Sequence, residues 1–362
     1  MSEHETIATQ ETEPGKIESE LRRIWEPLEK EKKTRACLFN LIIYTKLGNR
    51  CDYFRLVIQK IIENYPCRII FITNDPDSSQ DYLKTAVSVI APTGDSHSAC
   101  DLIDIGVAGK NYERISFIVI PHLLPDLPTY LLWSENPTDE NELFQSIEKL
   151  SNRIIFDSQS AENIFSFAKD ILKYHEKYQT NFSDLHWSRM EPWRDLISNQ
   201  FCSVERLGLL YKANKITITY NSLESTHFTQ NQIQALYITA WLASRLHWKR
   251  LKNENNTYFF QGEEEVRIEL QEDKLEGAAP GMVTKVEIES GDHEFRFIRD
   301  LEKKESVTIE TCTSGKCDAS LKFNIGKEAR GQSLSKDILR QGTSNHLLEM
   351  LKLLTEINDG EK

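Results

Sequence analysis

Residues 36–45 read ACLFNLIIYT, from Ala36 to Thr45. Apolar side chains fill almost every position, so the run has no polar face to turn to water. Such a run suits a strand covered on both sides, as in a parallel sheet with helices on its two faces. Its neighbours agree. Residues 52–64 place Phe54, Val57, Ile58, Ile61 and Ile62 at helical spacing, and Arg68–Thr73 (RIIFIT) is a second apolar run. Further along, 85–91, 102–107, 129–133 and 153–156 read as strands. Helices are expected over 112–124 (stopped by Pro125), 140–150 and 161–178. Upstream, 17–31 has a helical apolar stripe with Pro27 inside it, where a kink or break is expected.

Strands alternating with helices predict a Rossmann-like layered domain with a mostly parallel sheet over 17–180. The strands near 85 and 102 follow each other without a helix, so one edge should be antiparallel. Residues 1–16, MSEHETIATQETEPGK, are polar and acidic and contain no apolar h-region. They are expected to form a disordered tail.

Beyond residue 184 the pattern changes. Helices are expected over 192–201 and 231–248, with a strand at 216–220. Residues 258–260, 266–270, 283–288, 294–298, 307–312 and 321–325 then alternate with period two between turn residues, which predicts an antiparallel sheet. Helices near 335–340 and 345–357 close an α+β domain over 184–358. The fold class is therefore α/β, in two domains, as a chain of 362 residues would suggest.

Composition narrows the function. The formal charge of -12 disfavours a general nucleic-acid binder and an anionic membrane surface. The most apolar stretch, 115–124, is about half the roughly 20 residues a spanning helix needs. The seven cysteines (37, 51, 67, 100, 202, 312 and 317) are odd in number and mostly isolated. They read as reduced thiols of a cytoplasmic protein. The turn after Thr45, KLGNRCD, has one glycine, so the dinucleotide fingerprint is missing, and no P-loop is present. No spacing suggests a metal, no cofactor is expected, and no catalytic constellation is evident. Gly94-Asp95-Ser96 resembles a hydrolase nucleophile, but no histidine follows an aspartate at the required spacing.

Polar residues at expected strand ends form two readings. Thr73-Asn74-Asp75, Ser134-Glu135 and Asp157-Ser158-Gln159-Ser160 would ring a ligand cleft, or cap the following helices. The most basic stretch, Arg245–Lys252 (RLHWKRLK), is expected at a helix end, either as a solvated end where cations complement the dipole or as a contact for a phosphate or an acidic partner.

Asp184–Asp195 (DLHWSRMEPWRD) packs two tryptophans and three arginines or histidines among three acids. Trp and Arg dominate interface hot spots. The segment either locks the two halves together or forms a contact surface. Cys312 and Cys317 flank Thr-Ser-Gly-Lys at the base of an expected hairpin, within reach of a reversible disulfide. Lys316 would favour the reactive thiolate.

The same segment resembles the signature of the glucose-6-phosphate dehydrogenase assembly protein family, OpcA. Asp184, Leu185, Trp187, Arg189, Pro192, Trp193 and Arg194 stand at the positions of its Asp-Leu-x-Trp-x-Arg-x-x-Pro-Trp-Arg core. Leu123–Pro128 (LLPDLP), with Trp133 ending the next strand, is similar to a second family segment. So are Arg153–Ser158 (RIIFDS) and Ala240–Trp248 (AWLASRLHW). The resemblance implies a non-catalytic allosteric activator that binds glucose-6-phosphate dehydrogenase and promotes its active oligomer in the oxidative pentose phosphate pathway. It implies partner-binding or domain-locking roles for the signature residues and Trp133. The competing class is a sugar-phosphate-binding enzyme or sensor that uses the strand-end cleft.

Overall fold

The computed structural model describes residues 5–92, 98–136, 141–225, 230–303, 306–325, 337–338, 340 and 342–358. Gly94-Asp95-Ser96 lies outside them, as does most of the helix expected at 335–340. The chain divides into two units. The first holds Met1–Ala161, Tyr174–Leu185 and Ala329–Gly342, and the second holds Glu162–Lys173, His186–Glu328 and Thr343–Lys362.

The first unit is built on a sheet whose centre is the strand that opened the sequence. β1 is Glu5–Thr12, α1 Ile17–Lys30, β2 Thr34–Arg35, β3 Asn40–Lys46, α2 Asn49–Ile62 and β4 Arg68–Asn74. β5 (Tyr82–Ala91), β6 (Ser98–Ala108), α3 (Ile115–Val119), β7 (Thr129–Trp133), α4 (Glu142–Glu148) and β8 (Arg153–Phe156) follow. β9 (Phe182–Asp184) completes the series, after α5 (Ile164–Tyr178), whose residues up to Lys173 belong to the second unit. The strand order is β1-β5-β6-β4-β3-β7-β8-β9, with β2 paired to β6. From β6 to β9 every pairing is parallel, and β5 is antiparallel to β6. Leu41, Ile42, Ile43 and Tyr44 of β3 are all buried, so both faces of this strand are covered. Gly48 stands at the cap of α2 with φ 137°, a conformation that an L side chain rarely adopts.

Three expectations are corrected here. Residues 5–12 are not a tail but the edge strand β1, antiparallel to β5. An edge strand has one neighbour and tolerates polar residues; Thr9 Oγ1 lies 3.0 Å from Ser88 Oγ. Helix α1 runs through Pro27 to Lys30 without breaking. Ile17, Leu21, Ile24, Trp25 and Leu28 form its buried stripe. Its hold on the unit is also polar, because Trp25 Nε1 donates to the buried Asp101 carboxylate at 2.8 Å. Arg35 and Arg68 pair with the same carboxylate, and Arg68 also reaches Glu18 at 2.7 Å. Lastly, the helix expected over 112–124 is the short α3 between two 3-10 turns, Gly109–Arg114 and Ile120–His122.

The second unit contains α6 (Leu185–Arg189, beginning at the boundary), α7 (Glu191–Gln200), α8 (Val204–Tyr211), β10 (Lys215–Asn221) and α9 (Ile233–Arg245). β11 (Lys249–Glu254), β12 (Thr257–Gln261), β13 (Glu265–Asp273), β14 (Val283–Ser290), β15 (His293–Arg299) and β16 (Ser306–Thr313) come next. β17 (Lys316–Cys317), β18 (Leu321–Asn324) and α10 (Asn345–Asn358) end it. The order is β11-β12-β13-β10-β14-β15-β16-β17, with β18 on β16. All pairings are antiparallel except β10 with β13. Alternating burial along β13 to β16 gives the sheet one apolar face, and α10 packs on α9.

The basic stretch 245–252 is corrected as well. Only Arg245 belongs to the helix; Lys249–Glu254 is the edge strand β11. Helix α8 was not foreseen, although Ser203 caps it by accepting from Arg206 N at 3.2 Å. The two units interleave along the chain, and the core of the first includes Ile338. There Arg153 Nη1 donates to the carbonyls of Arg340 and Gly342, each at 2.7 Å.

Candidate functional site

Because the strands from β6 to β9 run in parallel, their carboxyl ends share one edge. Strand order reverses between β3 and β7, and in open α/β sheets ligands bind outside the strand ends at such a point. Of the polar residues expected at the strand ends, Ser134, Asp157 and Ser160 bind one another, while Asn74 donates to Tyr44, Asp75 accepts from Tyr82 and Glu135 pairs with Lys46. Arg50, in the first turn of α2, donates from Nε to Asp157 Oδ2 at 2.6 Å. Asp157 follows β8 and is fully buried; Arg50 is 12% exposed. Ser160 Oγ donates to the same carboxylate oxygen at 2.6 Å and lies 2.6 Å from Ser134 Oγ, which follows β7. Beside them, Ser158 N donates to Asp184 Oδ1 at 2.8 Å.

A chain of polar contacts thus runs from β3 over the end of β7 to β8. Arg50 is clamped on its other side by the rings of Tyr53 and Phe54, 4.4 and 5.1 Å from the guanidinium carbon. The turn that lacks a glycine fingerprint supplies a cation instead, and the chain's own carboxylate takes the place of an anionic ligand. Arg50 was missed because that turn was read only for glycines.

Next to this network is an open cleft of about 680 Å³ lined by Tyr44, Asn74, Tyr112, Glu135, Asn141 and Glu142, among others. Asn74 Nδ2 donates to Tyr44 Oη at 3.1 Å, and Tyr112 Oη to Asn141 Oδ1 at 3.1 Å. Burial raises both phenol pKa values, with Glu135 adding to the shift at each. Trp133 is buried and stacks on Tyr44 with centroids 4.0 Å apart, so it shapes the wall from behind. Among the described residues the charged groups of the lining are Glu113, Glu135 and Glu142, and Lys46 Nζ lies 3.1 Å from Glu135 Oε1.

The signature segment is mostly interior. Asp184, Leu185, His186, Trp187, Ser188 and Met190 are buried, and Trp193 is 1% exposed. Arg189, Pro192 and Arg194 are half-buried. Arg194 lies with its guanidinium carbon 3.5 Å from the Trp187 ring centroid, and its Nη1 donates to the Trp187 carbonyl at 2.6 Å. Arg299, on β15, sits 5.6 Å from the Trp193 ring. Trp187 and Trp193 are thus buried, each with an arginine near its ring. Far along the second sheet, Cys312 and Cys317 are register partners and form a disulfide. The other five cysteines are free thiols. Among the described residues no group of three or more His, Cys, Asp or Glu could hold a metal ion. No helix among them is long and apolar enough to cross a membrane.

Fold and site together define a two-unit Rossmann-like protein whose strand-end crevice is spanned by its own side chains. Comparison with known proteins adds the family. Residues 58–172 match a family model described as the glucose-6-phosphate dehydrogenase subunit N-terminal domain, and residues 180–345 match that of the C-terminal domain. The chain belongs to this family, OpcA.

Two curated relatives carry the name "Putative OxPP cycle protein OpcA". The one from Synechocystis sp. is 29% identical over 196 residues, covering 53% of this chain and 39% of the relative. The one from Nostoc punctiforme is 29% identical over 200 residues, covering 53% and 40%. The chain thus spans about two fifths of the length of these relatives. Among solved structures, the 3-ketoreductase KijD10 of Actinomadura kijaniata, in complex with TDP-benzene and NADP, is similar in fold. Its TM-score is 0.52 at 6% identity, over 89% of this chain and 96% of that one.

Proposed function

We propose that the chain is a non-catalytic assembly factor that binds glucose-6-phosphate dehydrogenase in the cytoplasm and promotes its active oligomer. Family membership supports the partner, since both family models are described by that dehydrogenase. The observation that carries the non-catalytic part is the Arg50–Asp157–Ser160–Ser134 chain across the strand ends. A pyrophosphate placed there would have to displace a buried ion pair. Among the described residues the charged groups that line the cleft beside it are carboxylates, which repel a phosphate.

The test mixes the purified chain with the dehydrogenase of the same organism. Size-exclusion chromatography should show a joint species, and activity at subsaturating substrate should rise. Turnover of a sugar phosphate by the isolated chain, or no change in either size or activity, would overturn the reading.

A further inference from the structure

Helix α8 lies on the second unit with apolar side chains turned to water. Residues 202–207 are all exposed, and Val204, at 91%, is the most exposed large apolar side chain among the described residues. Leu210 is the buried residue of the helix. Arg206, one turn before it, lies on the same side, where its Nη1 donates to the Gln200 carbonyl at 3.4 Å. Gly208 lies opposite them, and a Cβ built on it meets nothing within 4 Å.

The outward stripe is Val204, Leu207, Gly208 and Tyr211, at the i, i+3, i+4, i+7 spacing of a helix face that packs on something. Glycine inside a helix is costly, and at a position open to solvent the fold gains nothing from it. What it permits is close approach of a second backbone. With Gly208 at the centre of the free face, Val204, Tyr211 and Leu207 fall on one flank of the helix. Glu205 and Lys212, the C-cap, fall on the other. Both are exposed, and neither belongs to an ion pair among the described residues.

Two such helices complement each other when they lie side by side and antiparallel. A two-fold axis normal to the pair reverses chain direction but keeps each flank on its own side. The apolar flank therefore meets the apolar flank of the copy. On the charged side, Glu205 at the start of one helix meets Lys212 at the end of the other, twice per pair. We propose that α8 is a contact surface for a second copy of this chain, with the two helices antiparallel and crossing at Gly208. Such pairing needs no dehydrogenase and is tested without one.

Two helices of eight residues cover less than the roughly 800 Å² a side of a standard interface, so the pair forms with rising concentration. Small-angle scattering and sedimentation follow the full chain over roughly 1 μM to 1 mM. Salt is held at about 0.15 M, which screens the repulsion between two chains of charge -12. Every protein in the test carries Cys202→Ser, so that the exposed thiol forms no bond between copies.

The chain should pass from monomer to dimer in this range. Glu205→Lys alone and Lys212→Glu alone should each weaken pairing at least about tenfold, because like charges then face each other at both ends. An equal mixture of the two variants should pair again, since each then offers the charge the other lacks. Gly208→Gln should weaken pairing by a similar factor without lowering the melting temperature, because its side chain has free space in the monomer and improves the helix. A chain that stays monomeric throughout overturns the proposal. So does association that survives Gly208→Gln or both charge reversals, which would place the contact elsewhere. Failure of the mixture to pair overturns the antiparallel arrangement.

Discussion

Replacing Asp157 by alanine removes the carboxylate on which the strand-end network converges. Asp157 is 0% exposed and Arg50 12%, so the change strands a guanidinium that water barely reaches. Breaking a buried pair from one side costs about 3–5 kcal/mol. Ser160 loses an acceptor at the same time, worth about 1 kcal/mol. With about 2–4 °C per kcal/mol for a unit of this size, the melting temperature should fall by roughly 8–24 °C. The double replacement Arg50→Met, Asp157→Leu removes both charges and keeps apolar contact with Tyr53 and Phe54. Swaps of this kind are often neutral, so most of the lost stability should return. Urea melts of wild type, both single variants and the double variant give the coupling directly. An unchanged melting point for Asp157→Ala, or a double variant no better than the single, would refute the buried-pair account. Under conditions where each variant is folded, dehydrogenase activation should match wild type. A selective loss of activation in folded Asp157→Ala would return the crevice to the functional surface.

Trp193→Ala should cost about 3–5 kcal/mol, as deletion of a fully buried aromatic does, and a melting temperature equal to wild type would show that Trp193 is not core. The Glu18 carboxyl is held down at about 2, from 4.5, chiefly by its hydrogen bond from His122 and then by Arg68. A depressed carboxylate pKa stabilises the fold above the unfolded value and loses that contribution as pH falls through 4.5 toward 2. The stability gap between wild type and Glu18→Gln should therefore be constant above that window and close within it, and a gap independent of pH across the window would exclude the carboxylate as its source. For the hairpin, alkylation of unreduced, denatured protein should label the five free cysteines and spare Cys312 and Cys317, with a peptide mass lower by two hydrogens. Reduction should lower stability by no more than about 2 kcal/mol, because the closed loop is short, and full labelling of both cysteines under oxidising conditions would exclude the bond.

What the sequence shows and hides follows from where each constraint lies. ACLFNLIIYT is legible because burial on both faces leaves its mark in adjacent residues, and β13 to β16 are legible because burial on one face leaves a period of two. The edge strands β1 and β11 leave neither mark: each has a neighbour on one side only and keeps its polar residues, so one looked like a tail and the other like a helix end. The interleaving of the units is set by tertiary contacts. Arg153 is nearly fully buried, and its Nη1 donates to carbonyls 187 and 189 residues away, which no local pattern announces. The strand-end crevice shows the same limit, since the missing glycines were visible but the ion pair in their place joins residues 107 apart.

In the signature segment, the crowding of tryptophan and arginine stands out in the sequence, but composition alone does not say which of these residues are buried. Trp187 and Trp193 face inward, and Arg194 lies over Trp187 at half exposure. An Arg194→Ala change would therefore remove surface charge, while Trp187→Ala would remove the platform that aims it. If Arg194 meets the partner, both changes weaken binding, but only the tryptophan change lowers the melting temperature. Weak binding and a lower melting temperature in both would instead mean that the arginine serves the fold.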